Sequence, residues 1–405
     1  MNTHIARCWA DILLKIQDQE HLTKEEVEFA WSFLWEEWKQ IDAAKLKLKF
    51  LPQKLKLFLA MRKVDPMVLL TAPTFLVSIF SKGLIGEEIK GFMQSFYNNK
   101  WFDSFYQSGV ELPGLVYTNG FGGDRVKTVN VSTPAMIIAA AGGAKILKMG
   151  SHSYFGASGA QNFTDAVGLK ALTTPGEVQT LLGKVNSAFI DGAAAAAPST
   201  QGIAYFLAHV PEGRELMKAM FYPFRYMVLC FNFFKARIHQ RGISTLKTEL
   251  AADLLLAALE HIELGHIAAG MDHEGNIIDE ISNVGKTKIT VIEGHRRTET
   301  FFTTPADWGV KERKPTEICG GLPGENLKII LEIFMGKRED AYCDLLAVNA
   351  SHLLFLSGVV KNFKAGTFLA REMIAEGKAL EELKKSVACS GGNPEKLAAR
   401  LKEIK

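Results

Sequence analysis

The chain has 405 residues, of which 47% are hydrophobic and 22% charged, and its formal net charge is +3. That length suits two domains, the apolar share can build a large core, and the charge balance excludes disorder and gives no sign of a dedicated nucleic-acid surface. Residues 1–112 read as a helical domain. In "HLTKEEVEFAWSFLWEEW", Thr23 is placed as an N-cap, Glu25 and Glu26 fall in the first turn, and Val27, Ala30, Trp31 and Leu34 recur at helical period. "IGEEIKGFMQSF" (85–96) is a second amphipathic helix. Residues 45–63 carry seven basic side chains and no acidic one. They read either as a phosphate-binding face or as a helix whose lysine stems cover apolar surface, with the second reading favoured.

From 113 the texture changes. Short β-rich runs ("GLVYT", "TKITVIEG") alternate with small-residue helices ("PAMIIAAAGGAKILK", "TELAADLLLAALEHIEL"). The alternation implies an α/β domain over 113–405 with a central mixed sheet flanked by helices, beside the smaller helical domain of 1–112, to which residues 200–240 contribute. "DGAAAAAPSTQG" (191–202) is a hinge, a loop near a site, or a plain connector.

Four clusters carry candidate chemistry. In "NGFGGDRVKTVNVST", Gly120, Gly122 and Gly123 free the backbone to approach a ligand, and Ser132 and Thr133 stand where a helix should begin, with Pro134 at its first position. Backbone N–H groups beside a helix N-terminus bind phosphate, and Asn130, Ser132 and Thr133 add donors. In "KMGSHSYFGASG", Lys148 offers a point charge for phosphate, His152 is an acid, a base or a plain polar contact, and Ser158 is a further hydroxyl. In "HEGNIIDEIS", Asp279 and Glu280 follow an apolar pair at a strand end, where α/β proteins place their sites. Two carboxylates on a flexible turn can hold hydrated Mg²⁺. In "CGGLPGENLKII", Glu325 or Asn326 can orient neighbouring loops. "AVNASHLLF" reads as a buried helix with one polar residue, Asn349, bonded to backbone.

Five cysteines (8, 230, 319, 343, 389) without CxxC spacing read as reduced, mostly buried thiols. The amphipathic start and the absence of an apolar run long enough to span a bilayer read as a soluble cytoplasmic protein. There is no GxSxG elbow.

In this order the clusters resemble the anthranilate phosphoribosyltransferase family, within the superfamily that also holds the pyrimidine nucleoside phosphorylases. The family's GTGGD, N-x-S-T, KHGN[RK]S, DE and ENA motifs answer to "GFGGD" (120–124), "NVST" (130–133), "KMGSHS" (148–153), "DEIS" (279–282) and "GGLPGEN" (320–326). The resemblance covers about residues 113–385 well and the N-terminal helices loosely. It implies a homodimeric, Mg²⁺-dependent enzyme that binds 5-phosphoribosyl 1-pyrophosphate (PRPP) between its two domains. It further implies Gly120, Gly122, Gly123 and Asp124 against pyrophosphate and ribose. Asn130, Ser132, Thr133 and Lys148 would contact phosphate, Ser158 would lie in a covering loop, and Asp279 and Glu280 would hold magnesium. Asp124, Lys148 and Ser158 are the residues expected to act in catalysis, with His152 and Arg225 on the substrates.

The departures concentrate on the acceptor side. Phe121 replaces the family's threonine, Met149 and Ser151 replace His and Asn of KHGN, and His152 replaces its basic residue. Around 208–237, Arg225 of "PFR" matches an arginine near anthranilate, whereas "VLCFNFFK" loses the family's RT. An insertion follows Arg62 relative to the family. Phe121, Phe155, Tyr222, Phe224 and Phe231 are either pocket lining or core. The residues therefore point to PRPP-dependent transfer to an amine or ring nitrogen other than anthranilate. Anthranilate itself, a non-catalytic nucleic-acid-binding relative and nucleoside phosphorolysis stay open as alternatives.

Overall fold

The computed structural model describes residues 3–46, 74–75, 77–98, 111–120, 122, 126–150, 159–192, 222–232 and 234–404. The basic segment beyond Leu46, the insertion after Arg62 and the alanine tract from Ala193 lie outside them. The chain forms two compact units, one within Met1–Gln107, Ala193–Phe231 and Asp253–Leu259, the other within Ser108–Gly192, Asn232–Ala252 and Glu260–Lys405.

The first unit contains α1 (Thr3–Gln17), α2 (Lys24–Leu46) and α3 (Gly86–Asn98). A reciprocal capping box starts α2: Glu26 N–H donates to Thr23 Oγ1 at 3.2 Å, and Thr23 N–H donates to Glu26 Oε2 at 2.9 Å. Trp31 packs edge-on against Phe92 with ring centroids 4.7 Å apart, which brings α2 to α3. Phe231 stacks on the same Phe92, so it is core rather than pocket lining. Glu88 is fully buried and is matched by Lys82 Nζ at 2.6 Å and by the Leu22 N–H at 2.9 Å.

The second unit is built on strands β1 (Val116–Gly120), β2 (Ile146–Gly150), β3 (Ser187–Asp191), β4 (Ile238–Gly242), β5 (Leu264–Met271), β6 (Ile277–Ile278), β7 (Thr287–Glu293) and β8 (Arg296–Thr303). Their order is β3-β2-β1-β4-β5-β7-β8. The first five run parallel, and β6, β7 and β8 pair antiparallel. The helices are α4 (Ser132–Ala141), α5 (Ala160–Val167), α6 (Pro175–Leu182), α7 (Tyr222–Leu229, assigned to the first unit), α8 (Thr248–Ala258, assigned to the first unit from Asp253 onward), α9 (Pro323–Phe334), α10 (Ala341–Leu356), α11 (Phe363–Ala375), α12 (Lys378–Cys389) and α13 (Pro394–Ile404). α4 and α10 are apolar nearly all round and buried nearly throughout, as central helices must be. They share a core with Val116, Ile146 and Phe189 from one sheet face.

Two readings of the sequence change at this level. α10 buries Ser351 and His352 as well as Asn349, so its polar content is larger than one residue. Only Cys230 and Cys343 are buried; Cys8 and Cys389 are partly exposed and Cys319 is exposed. Among the described residues no helix is long and apolar enough to cross a membrane.

His352 meets His266 of β5, with Nε2 and Nδ1 2.9 Å apart, in a pocket shared with Trp308 and Phe355. Burial lowers the pKa of His266 to about 4 and that of His352 well below 6.5. Both imidazoles are then neutral at pH 7. The unfolded chain takes up a proton near 6.5 that folded His266 refuses until about 4. Stability is thus fully present above 6.5 and is lost as pH falls toward 4. Urea unfolding should lose at least about 2 kcal/mol between pH 7 and pH 5; a flat profile would contradict the buried neutral pair.

Candidate active site

In a parallel sheet, residues in register point to the same face, and every second residue shares it. One face therefore carries the row Gln240, Thr118, Lys148 and Phe189. One step further along sit Gly242, Gly120, Gly150 and Asp191, at the C-terminal ends of four neighbouring strands. The strand order reverses between β1 and β4, since the chain leaves β1 for β2 on one side and later returns on the other. The crevice beyond those two ends is where open α/β sheets bind ligands.

Asp279 occupies that crevice. β6 pairs with the end of β5 and delivers the acid pair directly after Ile278. A Cβ on Gly242 would lie 1.7 Å from the Asp279 carbonyl oxygen, and one on Gly120 would lie 2.8 Å from its Oδ2. At Gly242 only glycine lets the segment sit there; at Gly120 a side chain would press on the Asp279 carboxylate. The Gly122 N–H, from a residue at φ +66°, donates to Asp279 Oδ2 at 2.6 Å, and the Gly122 carbonyl accepts from Ser244 Oγ at 2.9 Å. From below, Asn349 clamps the next residue but one. Its Oδ1 accepts from Ile281 N–H at 2.9 Å, and its Nδ2 donates to Ile281 O at 3.0 Å and to Leu345 O at 2.9 Å. The pair is consequently not on a flexible turn: Asp279 is buried and Glu280 half-buried.

Glu280 reaches the start of α4, where both the hydroxyl and the backbone N–H of Ser132 bond it. The N-cap residue of α4, Val131, offers no side-chain cap, and Glu280 takes the Ser132 N–H instead, so the helix start is joined to the acid pair. Ser132 and Thr133 are its first two helical residues and Pro134 its third, so the helix starts two residues earlier than the sequence pattern places it. Burial is the main cause that raises the Glu280 pKa, to about 8; Asp279 adds to it, while Lys148 and Ser132 oppose it. Burial likewise lowers the pKa of Lys148, against the pull of Glu280 and Asp279 and with the repulsion of Arg241. The acid pair and the buried ammonium thus share one poorly hydrated space, where each charge is worth more than in water.

Asn130 Nδ2 donates to Gly159 O at 3.0 Å and so fastens the entrance of α5. Asn326 and Glu325 hold their own loop, accepting from Gly321 N–H and Leu322 N–H, each at 2.7 Å. Arg225 lies on α7 in the first unit. Phe121, Gly123, Asp124, His152, Phe155 and Ser158 lie outside the described residues, as do the side chains of Tyr222 and Phe224.

On the opposite sheet face, Arg241 is fully buried. Its Nη1 donates to Tyr117 O at 2.9 Å, its Nη2 to His239 Nδ1 at 2.7 Å, and its guanidinium lies 4.5 Å from the Tyr117 ring centroid. His239 Nε2 bonds the Ala236 carbonyl at 2.7 Å, so the proton is on Nε2 and Nδ1 accepts; burial, then Arg241, keeps its pKa well below 6.5. Three polar residues in "IHQRG", inside a buried parallel sheet, are the signal that could have exposed this cluster.

An α/β domain with an acid pair seated over a topological switch point is the class of protein at hand. The sequence profile described as "Glycosyl transferase family, a/b domain" matches residues 112–211 and 230–380. The anthranilate phosphoribosyltransferase of Methanosphaera stadtmanae is 31% identical over 329 residues, 78% of this chain and 88% of that protein. That of Psychromonas ingrahamii is 31% identical over 323 residues, 80% and 88%. Among solved structures, the anthranilate phosphoribosyltransferase from Saccharomyces cerevisiae in complex with PRPP and Mg superposes with a TM-score of 0.70 at 20% identity, over 95% of this chain and 98% of the other. The anthranilate phosphoribosyltransferase of Thermus thermophilus gives 0.65 at 20%, over 94% and 99%. The chain belongs to the anthranilate phosphoribosyltransferase family, and is an enzyme of the glycosyltransferase class.

Gly242→Ala should cost roughly 1–3 kcal/mol, the range for overpacking, because its methyl collides with backbone at 1.7 Å. Gly176→Ala, with nothing within 4 Å, is the control. Thermal unfolding of the two variants checks this; equal midpoints would show that Asp279 is not held against β4.

Proposed function

We propose that the enzyme transfers the phosphoribosyl group of PRPP, with Mg²⁺, to a nitrogen of an acceptor other than anthranilate. The observation that carries the donor half is the convergence of Asp279, Glu280, Lys148 and the start of α4 at the ends of β1 and β4. Two hard carboxylates suit Mg²⁺, which takes one or two protein ligands and completes its shell with water and phosphate oxygens. When bound there, the ion would neutralise charge on the departing pyrophosphate. Asp279 and Glu280 would hold it, with Asp279 oriented by Gly122 N–H and its segment by Asn349.

Lys148 faces the phosphates and, with the positive end of α4, stabilises the charge that develops on them. Asp124, Gly120 and Gly123 would lie against the pyrophosphate and ribose, Asn130 and Thr133 would contact phosphate, Ser158 would belong to a covering loop, and His152 would meet a substrate. In the transfer, the acceptor nitrogen bonds to C1 of the ribose as the C1–O bond to pyrophosphate breaks. Pyrophosphate leaves with the electron pair, and the nitrogen releases its proton to solvent. Most of the acceleration then comes from positioning and fixed charge.

His152, in the loop where the resembled family carries KHGN, and the altered stretch around Arg225 support the different acceptor; Met149 belongs to β2 and lies on the opposite sheet face from Lys148, beside the Tyr117 hydroxyl. Anthranilate itself is the second reading, favoured by what the relatives are called.

Titration calorimetry with PRPP and Mg²⁺ tests the donor half. Binding should be seen, and Asp279→Asn with Glu280→Gln should weaken it by more than the roughly tenfold to hundredfold typical of losing a group that only orients a metal ligand. No binding by the unaltered protein would sink the proposal. Pyrophosphate release on adding anthranilate separates the two acceptor readings.

A further inference from the structure

A cavity of about 350 Å³ lies within the second unit, between α5, α9 and α13. That volume falls in the range of small-ligand pockets, roughly 300–1,000 Å³. We propose that it binds a small amphipathic carboxylate, with the acid group at the start of α9 and the apolar body on the cavity floor. The proposal goes beyond the phosphoribosyl-transfer reading and does not depend on it.

The floor is apolar. Leu327, Ile330 and Leu331 recur at i, i+3 and i+4 on one face of α9, and with Phe163 of α5 they are buried where they line the cavity. A bare inorganic anion gains nothing from such a floor, whereas a hydrocarbon body does. The mouth is open: Gly324 is exposed, and a Cβ on it would meet nothing within 4 Å. Neither Lys148 nor Asp279 nor Glu280 lines the cavity. Asn130, two residues before Ser132, does, with its Nδ2 already given to Gly159 O at 3.0 Å. The cavity is thus a neighbour of the acid pair and holds none of its charges.

The polar groups at the start of α9 are donors. Pro323 has no N–H, and the N–H groups of Glu325 and Asn326 both donate to Leu322 O at 3.0 Å. The Gly324 N–H is left without a partner among the described residues. Asn326 supplies a second donor. Its Oδ1 accepts from Gly321 N–H at 2.7 Å, which fixes the amide orientation. Its Nδ2 then has no hydrogen-bond partner among the described residues and keeps contact with solvent. In a residue only 3% exposed, the cavity it lines is where that contact is made. Glu325 does not line the cavity, and its Oε2 is turned back to accept from Leu322 N–H at 2.7 Å. At the rim stand Lys328, Arg400 and Glu403. Arg400 Nη1 already bonds both Glu403 oxygens, at 3.2 and 3.0 Å, whereas Lys328 Nζ stands 3.8 Å from Glu332 Oε1 and is the less engaged cation. Two aligned N–H donors, a helix N-terminus and a nearby ammonium favour a carboxylate.

Methyl NMR of the full chain with hexanoate, 1-hexanol and inorganic phosphate tests this. Hexanoate should shift the methyl signals of Leu327, Ile330 and Leu331 saturably, and 1-hexanol should bind there at least about tenfold more weakly. Asn326→Asp keeps the acceptor for Gly321 N–H and puts an oxygen where the Nδ2 donor stood. It should weaken hexanoate at least about tenfold and leave 1-hexanol unchanged. Lys328→Gln, at a side chain 64% exposed, should weaken hexanoate by a smaller factor, roughly 1.5- to 5-fold. If Asn326→Asp does not fold, the comparison with 1-hexanol and the response of Lys328→Gln decide. No saturable shift with hexanoate, equal affinity for 1-hexanol, or variants that leave hexanoate affinity unmoved would each overturn the proposal. Displacement of hexanoate by inorganic phosphate would overturn it too, since the site would then take any small anion.

Discussion

The hydrogen bond from Gly122 N–H to Asp279 Oδ2 joins two segments 157 residues apart, and the site depends on it. It can form because Gly120 and Gly242 lack side chains, so that the acid segment settles onto the ends of β1 and β4. Asn349 then secures the segment from the core side. The polar groups around it take their positions from this seat. Glu280 meets the start of α4 because Asp279 is where it is, and Lys148 acquires its two attracting charges for the same reason.

The second constraint is electrostatic. Lys148 and Glu280 are drawn out of water by the same burial, and burial outweighs their mutual attraction in setting the direction of both shifts. Such a cluster is poorly stabilised by itself and well suited to a ligand that brings phosphate and a divalent cation together. Arg241 adds a further positive charge from the opposite face, held by backbone carbonyls, a neutral histidine and a tyrosine ring.

Much of this was legible in the chain itself. The capping box of Thr23 and Glu26, the strands "GLVYT" and "TKITVIEG", and the role of Asn349 toward backbone follow from local propensity and pattern, which act over a few residues. The glycine loop, Lys148 and the acid pair stand out in the sequence because phosphate and metal binding admit few residue types, and the fold brings Lys148 and the acid pair together. The glycines mislead in one respect. They suggest N–H groups offered to a ligand, whereas the Gly122 N–H is given to Asp279 and the strand-end glycines clear room for it. The partners of Arg241, His239, His266 and His352 were not legible, because a polar residue in a buried strand or helix gives no sign of what it faces until the neighbouring elements are packed against it.

The sequence by itself determined the kind of chemistry, the α/β alternation and the family, since these rest on residue type and spacing along the chain. Tertiary structure decided that Asp279 and Glu280 are withdrawn from solvent and that Lys148 shares their space. The reason is physical. Burial and charge proximity belong to strand order and register, and β1, β4 and the acid segment become neighbours only when the parallel sheet closes around the switch point between them.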